Sequence, residues 1–188
     1  PFAPIAVADS TSATFAGTSA QSSATGTTNW SNPQNATSSD NATAFAGVGT
    51  NVRDNGVQIT LNAGTSFVGD NKATSTLWPV SDTFISHGGA TDTWGLSLTG
   101  ADISTSSFGV GISADGDNAG VTKYLFGYNF GFSISAEAII DGVVAEFEKR
   151  SALNQSAVVD SIRVTIYYHI PQPTGKLQIK TGKFQTKS

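Results

Sequence analysis

The sequence predicts an all-β protein, an antiparallel β-sandwich of jelly-roll type with extended N- and C-terminal arms. Three observations carry that expectation. Apolar residues recur with period two along short segments, Gly/Asn/Asp/Ser turns separate them at sandwich-like spacing, and helix signals are thin. A length of 188 residues suits one domain with tails and a core of ordinary size.

Residues 10–28 are Ser, Thr, Ala and Gly broken only by Phe15 and Gln21. They bring too little apolar surface to offset the entropy of ordering, so residues 1–28 are expected to form a flexible or partner-bound arm. The pattern changes after Asn51. Val57-Gln58-Ile59-Thr60-Leu61 alternates as a half-buried strand does, and turn signals follow at Asn62-Ala63-Gly64 and Gly69-Asp70-Asn71. Ala73–Trp78 and Thr93–Leu98 read as strands separated by a loop, Ser86-His87-Gly88-Gly89. Phe108–Ala114 alternates again and ends at the turn Asp115-Gly116-Asp117-Asn118. Lys123–Ile134 carries Tyr124, Phe126, Tyr128, Phe130 and Phe132 at a spacing of two, which predicts one strand with five rings on its core face. Gly142–Arg150 and Ser161–Ile170 complete the strands, the latter with Ile162, Val164 and Ile166 on one face. Single helical turns are expected at Thr99–Ser104 and Ser135–Ala138. The sandwich domain is thus placed at residues 29–170.

Only 13% of the residues are charged, against about 25% in average soluble domains. The surface is made polar by Ser, Thr, Asn and Gly instead, the chemistry of an extracellular or particle surface. With no cysteine there is no disulfide, thiolate nucleophile or ordinary structural zinc site. Two histidines, His87 and His169, leave little material for a metal cage or a His-based catalytic centre, and no cofactor is expected. Residues 1–170 hold all 14 acids and six of the 10 bases, a formal −8. Such a body repels phosphate backbones, so it is not expected to bind nucleic acid. No apolar run approaches the ~20 residues that span a bilayer, and Pro1–Asp9 has no signal-peptide pattern.

Residues 171–188 form a basic C-terminal arm with four lysines and no acid. Thr174–Lys180 and Thr181–Lys187 match at Thr, Gly, Lys, Gln and Lys. Leu177 and Ile179 face away from Lys176, Gln178 and Lys180, which suits addition to a neighbour's sheet edge. Lys176, Leu177, Ile179, Lys183 and Phe184 are therefore the candidate subunit contacts.

Candidate chemistry is sparse. His87 lies near Asp82 and Asp92 and reads as an exposed loop histidine, and His169 as a half-buried strand end. No serine lies in a nucleophile elbow, and no glycine motif cradles phosphate. Glu146 and Glu148 alternate with Ala145, Phe147 and Lys149 and so share an outer, solvated strand face. Asp115, Asp117 and Asn118 are candidate calcium ligands, although the turn lacks the spacing and closing Glu of an EF-hand. Trp30, Trp78 and Trp94 are candidates for stacking on sugar rings.

Three stretches together resemble a known family. They are Trp30-Ser31-Asn32-Pro33-Gln34-Asn35-Ala36; Asn129-Phe130-Gly131-Phe132-Ser133-Ile134 with Ala138–Val143; and Asn71-Lys72-Ala73, Trp78-Pro79 and Asp92-Thr93-Trp94-Gly95, closing with Val159–Tyr168. The pattern resembles a family of largely uncharacterised β-sandwich proteins found among tailed-phage virion proteins and bacterial surface proteins, and covers about residues 30–168. In that family the aromatic block precedes the Asn-Lys-Ala block; here the order is reversed. Ala-Gly-Val stands at both 46–48 and 119–121, where the blocks would join. Moving Val121–Ala152 to follow Gly47 would restore the family order, by undoing either a genuine rearrangement or a misjoined sequence. The resemblance implies a structural, particle- or surface-associated role and brings no catalytic residues. The expected function is a non-enzymatic subunit of a virion (capsid decoration, tail or neck) or of an extracellular fibre. Its partners would be other copies of itself or other particle proteins. The alternative is a carbohydrate-binding module or adhesin that takes a glycan through its tryptophans.

Overall fold

A computed structural model describes residues 9–14, 18–21, 26–37, 44–117, 120–152 and 156–171. In chain order the strands are β1 (Asp9–Thr14), β2 (Thr18–Gln21), β3 (Ala44–Gly47), β4 (Arg53–Thr60), β5 (Thr83–Gly89), β6 (Gly109–Asp115), β7 (Leu125–Tyr128), β8 (Ile139–Ala152) and β9 (Ser156–His169). One sheet runs β1-β9-β8-β5 with β3 also on β9, and the other runs β2-β7-β6-β4. Every strand pairing is antiparallel. The chain is therefore all-β, as its alternation predicts.

Each sheet turns one set of alternate side chains toward a shared core. Val57 and Ile59 of β4, Val110 and Ile112 of β6 and Leu125 of β7 come from one side. Val143, Ala145 and Phe147 of β8 meet them with Ile162, Val164 and Ile166 of β9, and all of these are fully buried. β8 and β9 form a long hairpin, paired from Ile139↔His169 to Ala152↔Ser156. A bulge beside Glu148/Lys149 leaves Asp160 as the extra residue, the kind of irregularity that raises local twist.

Several expectations are corrected. Lys123–Ile134 is not one strand: Asn129 (φ 61°) and Gly131 (φ 74°) adopt left-handed backbone and end the alternation after Tyr128. Leu125 points into the core, while Tyr124 and Phe126 lie on the opposite side beneath Phe67, at ring separations of 3.9 and 6.0 Å. Phe130 and Phe132 return to the core against Phe108, 6.4 and 6.2 Å away. Ser86–Gly89 is not a loop but the second half of β5. Ala73–Trp78 is not a ladder strand. It belongs to a segment following β4's outer edge, with backbone bonds from Val68 to Ile59, Lys72 to Val57 and Trp78 to Val52. Thr93–Leu98 is irregular because Trp94 is left-handed (φ 59°), its N–H held by Asp92 Oδ1 at 2.8 Å. The expected turn at Thr99–Ser104 is present as α1 (Gly100–Ile103), closed by a capping box between Thr99 and Asp102.

Within the expected N-terminal arm, β1 lies on β9 and β2 lies on β7 as edge strands of the chain's own sheets. The proposed contacts Lys176, Leu177, Ile179, Lys183 and Phe184 lie outside the described residues.

Phe67 can cover β6 because residue 111 is glycine: a Cβ there would sit 2.5 Å from the ring. Gly111→Ala is expected to lift Phe67 and cost about 1–3 kcal/mol, read as a lower urea midpoint with greater tyrosine exposure.

Candidate functional site

Polar groups inside a sandwich must be paired. The chain buries a concentrated set of them between its sheets. Alternation after Ala145 and Phe147 keeps Lys149 on the core face of β8, where it is 2% exposed. Opposite stands Asp54 of β4, beside a register shift between Asp54 and Gly56, with its side chain fully enclosed. His87 of β5 is 3% exposed and completes the cluster. β5 and β8 belong to one sheet and β4 to the other, so the three side chains tie the layers together.

Lys149 Nζ lies 2.5 Å from Asp54 Oδ1, which also accepts the Trp78 indole N–H at 2.7 Å. Asp54 Oδ2 accepts the backbone N–H and the hydroxyl of Thr74 at 3.2 and 3.1 Å. The ammonium stands 4.9 Å from the centre of the Trp78 ring. His87 Nδ1 faces the Lys72 carbonyl at 3.1 Å. A carbonyl only accepts, so Nδ1 carries the proton and Nε2 presents a lone pair. That nitrogen is 3.3 Å from Lys149 Nζ and 3.8 Å from Asp54 Oδ2. Phe147 packs edge-on against the imidazole, ring centres 5.9 Å apart. A small pocket opens beside the cluster, lined by Thr74, Leu77, Trp78, Pro79, Ile85 and Lys149 among others.

Burial pushes Lys149 below its ordinary 10.5, against the pull of Asp54. Burial, and then the Lys149 charge, push His87 below 6.5, while Asp54 and the Lys72 carbonyl partly oppose the shift. The arrangement holds an amine, a carboxyl and a neutral imidazole in one water-poor space.

Sequence reasoning missed this site. It reads His87 as exposed because glycines follow it, but pairing with β8 opposite Ala145 turns the ring inward. Lys149 was legible, since alternation puts it with Phe147. Nothing local marks Asp54 as its partner, 95 residues away.

The tryptophans correct the sugar-stacking expectation. Trp30, Trp78 and Trp94 are 3%, 4% and 0% exposed, which leaves no ring face for a sugar. Their indole N–H groups bond to Lys123 O, Asp54 and Val143 O. Of the calcium candidates, Asp115 pairs with Arg53 at 3.3 Å, and Asp117 accepts from Thr50 at 3.0 Å and from Asn51. Asn118 lies outside the described residues, and among those described no group of three His, Cys, Asp or Glu is placed to hold a metal ion. His169 pairs with Asp141 at 2.9 Å on the half-exposed end of β9. No described helix is long and apolar enough to cross a membrane.

Comparison with known protein families, with characterised proteins and with solved structures finds no match to this chain.

Asp54→Ala leaves Lys149 buried without its counter-ion and is expected to cost at least about 3 kcal/mol, measured by chemical unfolding. His87, faced by Lys149 and Asp54, binds its proton less readily in the fold than in the unfolded chain. Its contribution is therefore complete above pH 6.5 and is lost as pH falls through that value toward the native one. His87→Phe is expected to remove that part of the acid slope in unfolding midpoints.

Proposed function

We propose that the chain is a non-enzymatic structural subunit of a virion or an extracellular fibre. In this reading it is a jelly-roll-type sandwich that assembles with copies of itself or other particle proteins through sheet edges and terminal arms. The observation that carries the reading is the edge strand β5. One sheet's order ends at Thr83–Gly89, and this strand carries no Lys, Arg, Asp, Glu or Pro. Proteins that remain solitary blunt such an edge with charge, proline or a covering segment. Here β4, at the corresponding edge of the other sheet, is covered by the segment from Val68 to Trp78. β5 ends its sheet, and strand addition by a neighbour is the mode it suits.

The N-terminal segment supports the same mode. Its Ser/Thr-rich strands β1 and β2 bring few apolar side chains and are added at sheet edges through backbone pairing. A chain that adds such strands to its own edges has the means to add them to a neighbour's. The sugar-binding alternative gains no support from three buried tryptophans.

Sedimentation and electron microscopy test the proposal. The wild-type chain is expected to form ordered oligomers. Ser86 is exposed and its hydroxyl donates to Glu146 at 3.1 Å, so Ser86→Lys retains a partner across the strand while placing a charge on the edge. The variant is expected to keep its unfolding midpoint and to lose association by about tenfold, or about 1.4 kcal/mol. A wild-type chain that stays monomeric at every concentration would sink the reading.

A further inference from the structure

We propose that Lys149 and Asp54 condense within the folded chain to an isopeptide bond that joins the two sheets covalently, with His87 carrying the proton. The proposal rests on the geometry of the buried cluster and stands independently of any assembly role.

The reacting groups already touch, at 2.5 Å between Nζ and Oδ1, and the fold fixes both on paired strands. Holding two reactants in this way supplies an effective concentration far above any attainable in solution. Amide formation from an ammonium and a carboxylate is uphill in water, because water solvates both ions. Here both ions have lost that solvation, and a neutral amide relieves the desolvation that the ion pair must bear. The lowered proton affinity of Lys149 acts in the same direction.

The step balances without any outside reagent. The ion pair first passes a proton from Nζ to Asp54 Oδ2 by way of His87 Nε2, 3.3 Å from the one and 3.8 Å from the other, giving an amine and a carboxylic acid. Nζ then attacks Cγ, and the C=O electron pair moves onto Oδ1, where the Trp78 N–H stands 2.7 Å away as the donor that stabilises developing negative charge. His87 Nε2, 3.3 Å from Nζ, accepts a proton from the attacking nitrogen. The Cγ–Oδ2 bond breaks as Oδ1 re-forms its carbonyl. Oδ2 departs as water, keeping the acid proton and receiving the second from His87, which lies 3.8 Å away; the Thr74 hydroxyl supports it at 3.1 Å. Nζ retains one hydrogen as the amide N–H, and nothing is oxidised or reduced. The pocket lined by Thr74 and Lys149 gives the released water a way out.

Three side chains have distinct duties here: Lys149 is the nucleophile, Asp54 the acyl donor and His87 the proton carrier. The fixed tautomer of His87 matters, because the Lys72 carbonyl holds the proton on Nδ1 and leaves Nε2 free to accept. For a chain without cysteine, the product would supply the cross-sheet covalent tie that disulfides supply elsewhere.

Intact mass spectrometry of the full-length, denatured protein decides the matter. The wild-type chain is expected to be one water lighter than its sequence, and digestion to release a branched peptide joining the segments of Asp54 and Lys149. Lys149→Met and Asp54→Ala are each expected to restore the full mass, whether or not they fold as well. His87→Ala is expected to acquire the mass loss roughly 10²-fold more slowly. A wild-type mass equal to that of the sequence overturns the proposal. So does a water loss that maps to Asp115-Gly116 or Asp141-Gly142, where a backbone succinimide would give the same mass. A His87→Ala chain that cross-links at the wild-type rate overturns the assignment of the proton carrier.

Discussion

The structure depends on one contact, that between Lys149 and Asp54 across the sandwich. An amine and a carboxyl this deep in a core cost several kcal/mol each in lost hydration. They are tolerated because neighbouring polar groups are directed at them. Trp78, Thr74 and Lys149 together place four donor groups on the two Asp54 oxygens. His87 offers the ammonium a second acceptor. Remove the contact and two sheets otherwise held by apolar packing lose their polar register. Apolar packing is non-directional, whereas this contact allows one alignment of β4 against β5 and β8.

The cluster also explains a segment with no regular structure. Residues 68–78 follow the outer edge of β4 and deliver Lys72, Thr74 and Trp78 to the cluster in turn. A ladder strand would point alternate side chains away; a segment whose backbone-to-backbone bonds to the β4 side are spaced out at Val68, Lys72 and Trp78 is free to turn several inward. Trp94 plays a comparable part at the next corner, where its indole N–H reaches the Val143 carbonyl of β8 at 2.9 Å. Large indoles thus serve as struts inside the fold, which removes them from its outer chemistry.

These features fit a module made to hold its shape. The side of the sandwich near Asp54 is fastened internally, and the neighbouring edge, β5, is left without charge. A sandwich fastened in this way, with the uncharged strand β5 ending one sheet, suits the assembly role proposed above. The proposed isopeptide bond would extend that logic by making the fastening permanent, while assembly through β5 would proceed with or without it.

The sequence by itself determined the all-β class, because period-two alternation in Val57–Leu61, Phe108–Ala114, Gly142–Arg150 and Ser161–Ile170 is a property of neighbouring residues. It also determined the capped turn at Thr99 and the inward face of Ile162, Val164 and Ile166. It did not determine where the aromatic run breaks, since the left-handed backbone at Asn129 is one residue's departure inside an otherwise regular pattern. Above all, it could not assign Asp54, His87 and Lys149 to one another. They lie 62 and 95 residues apart along the chain, and only the packing of one sheet on the other brings them within reach. Alternation specifies which way a side chain points. What it meets there is decided by the tertiary structure, because a buried charge is stable only where the opposite sheet delivers a partner.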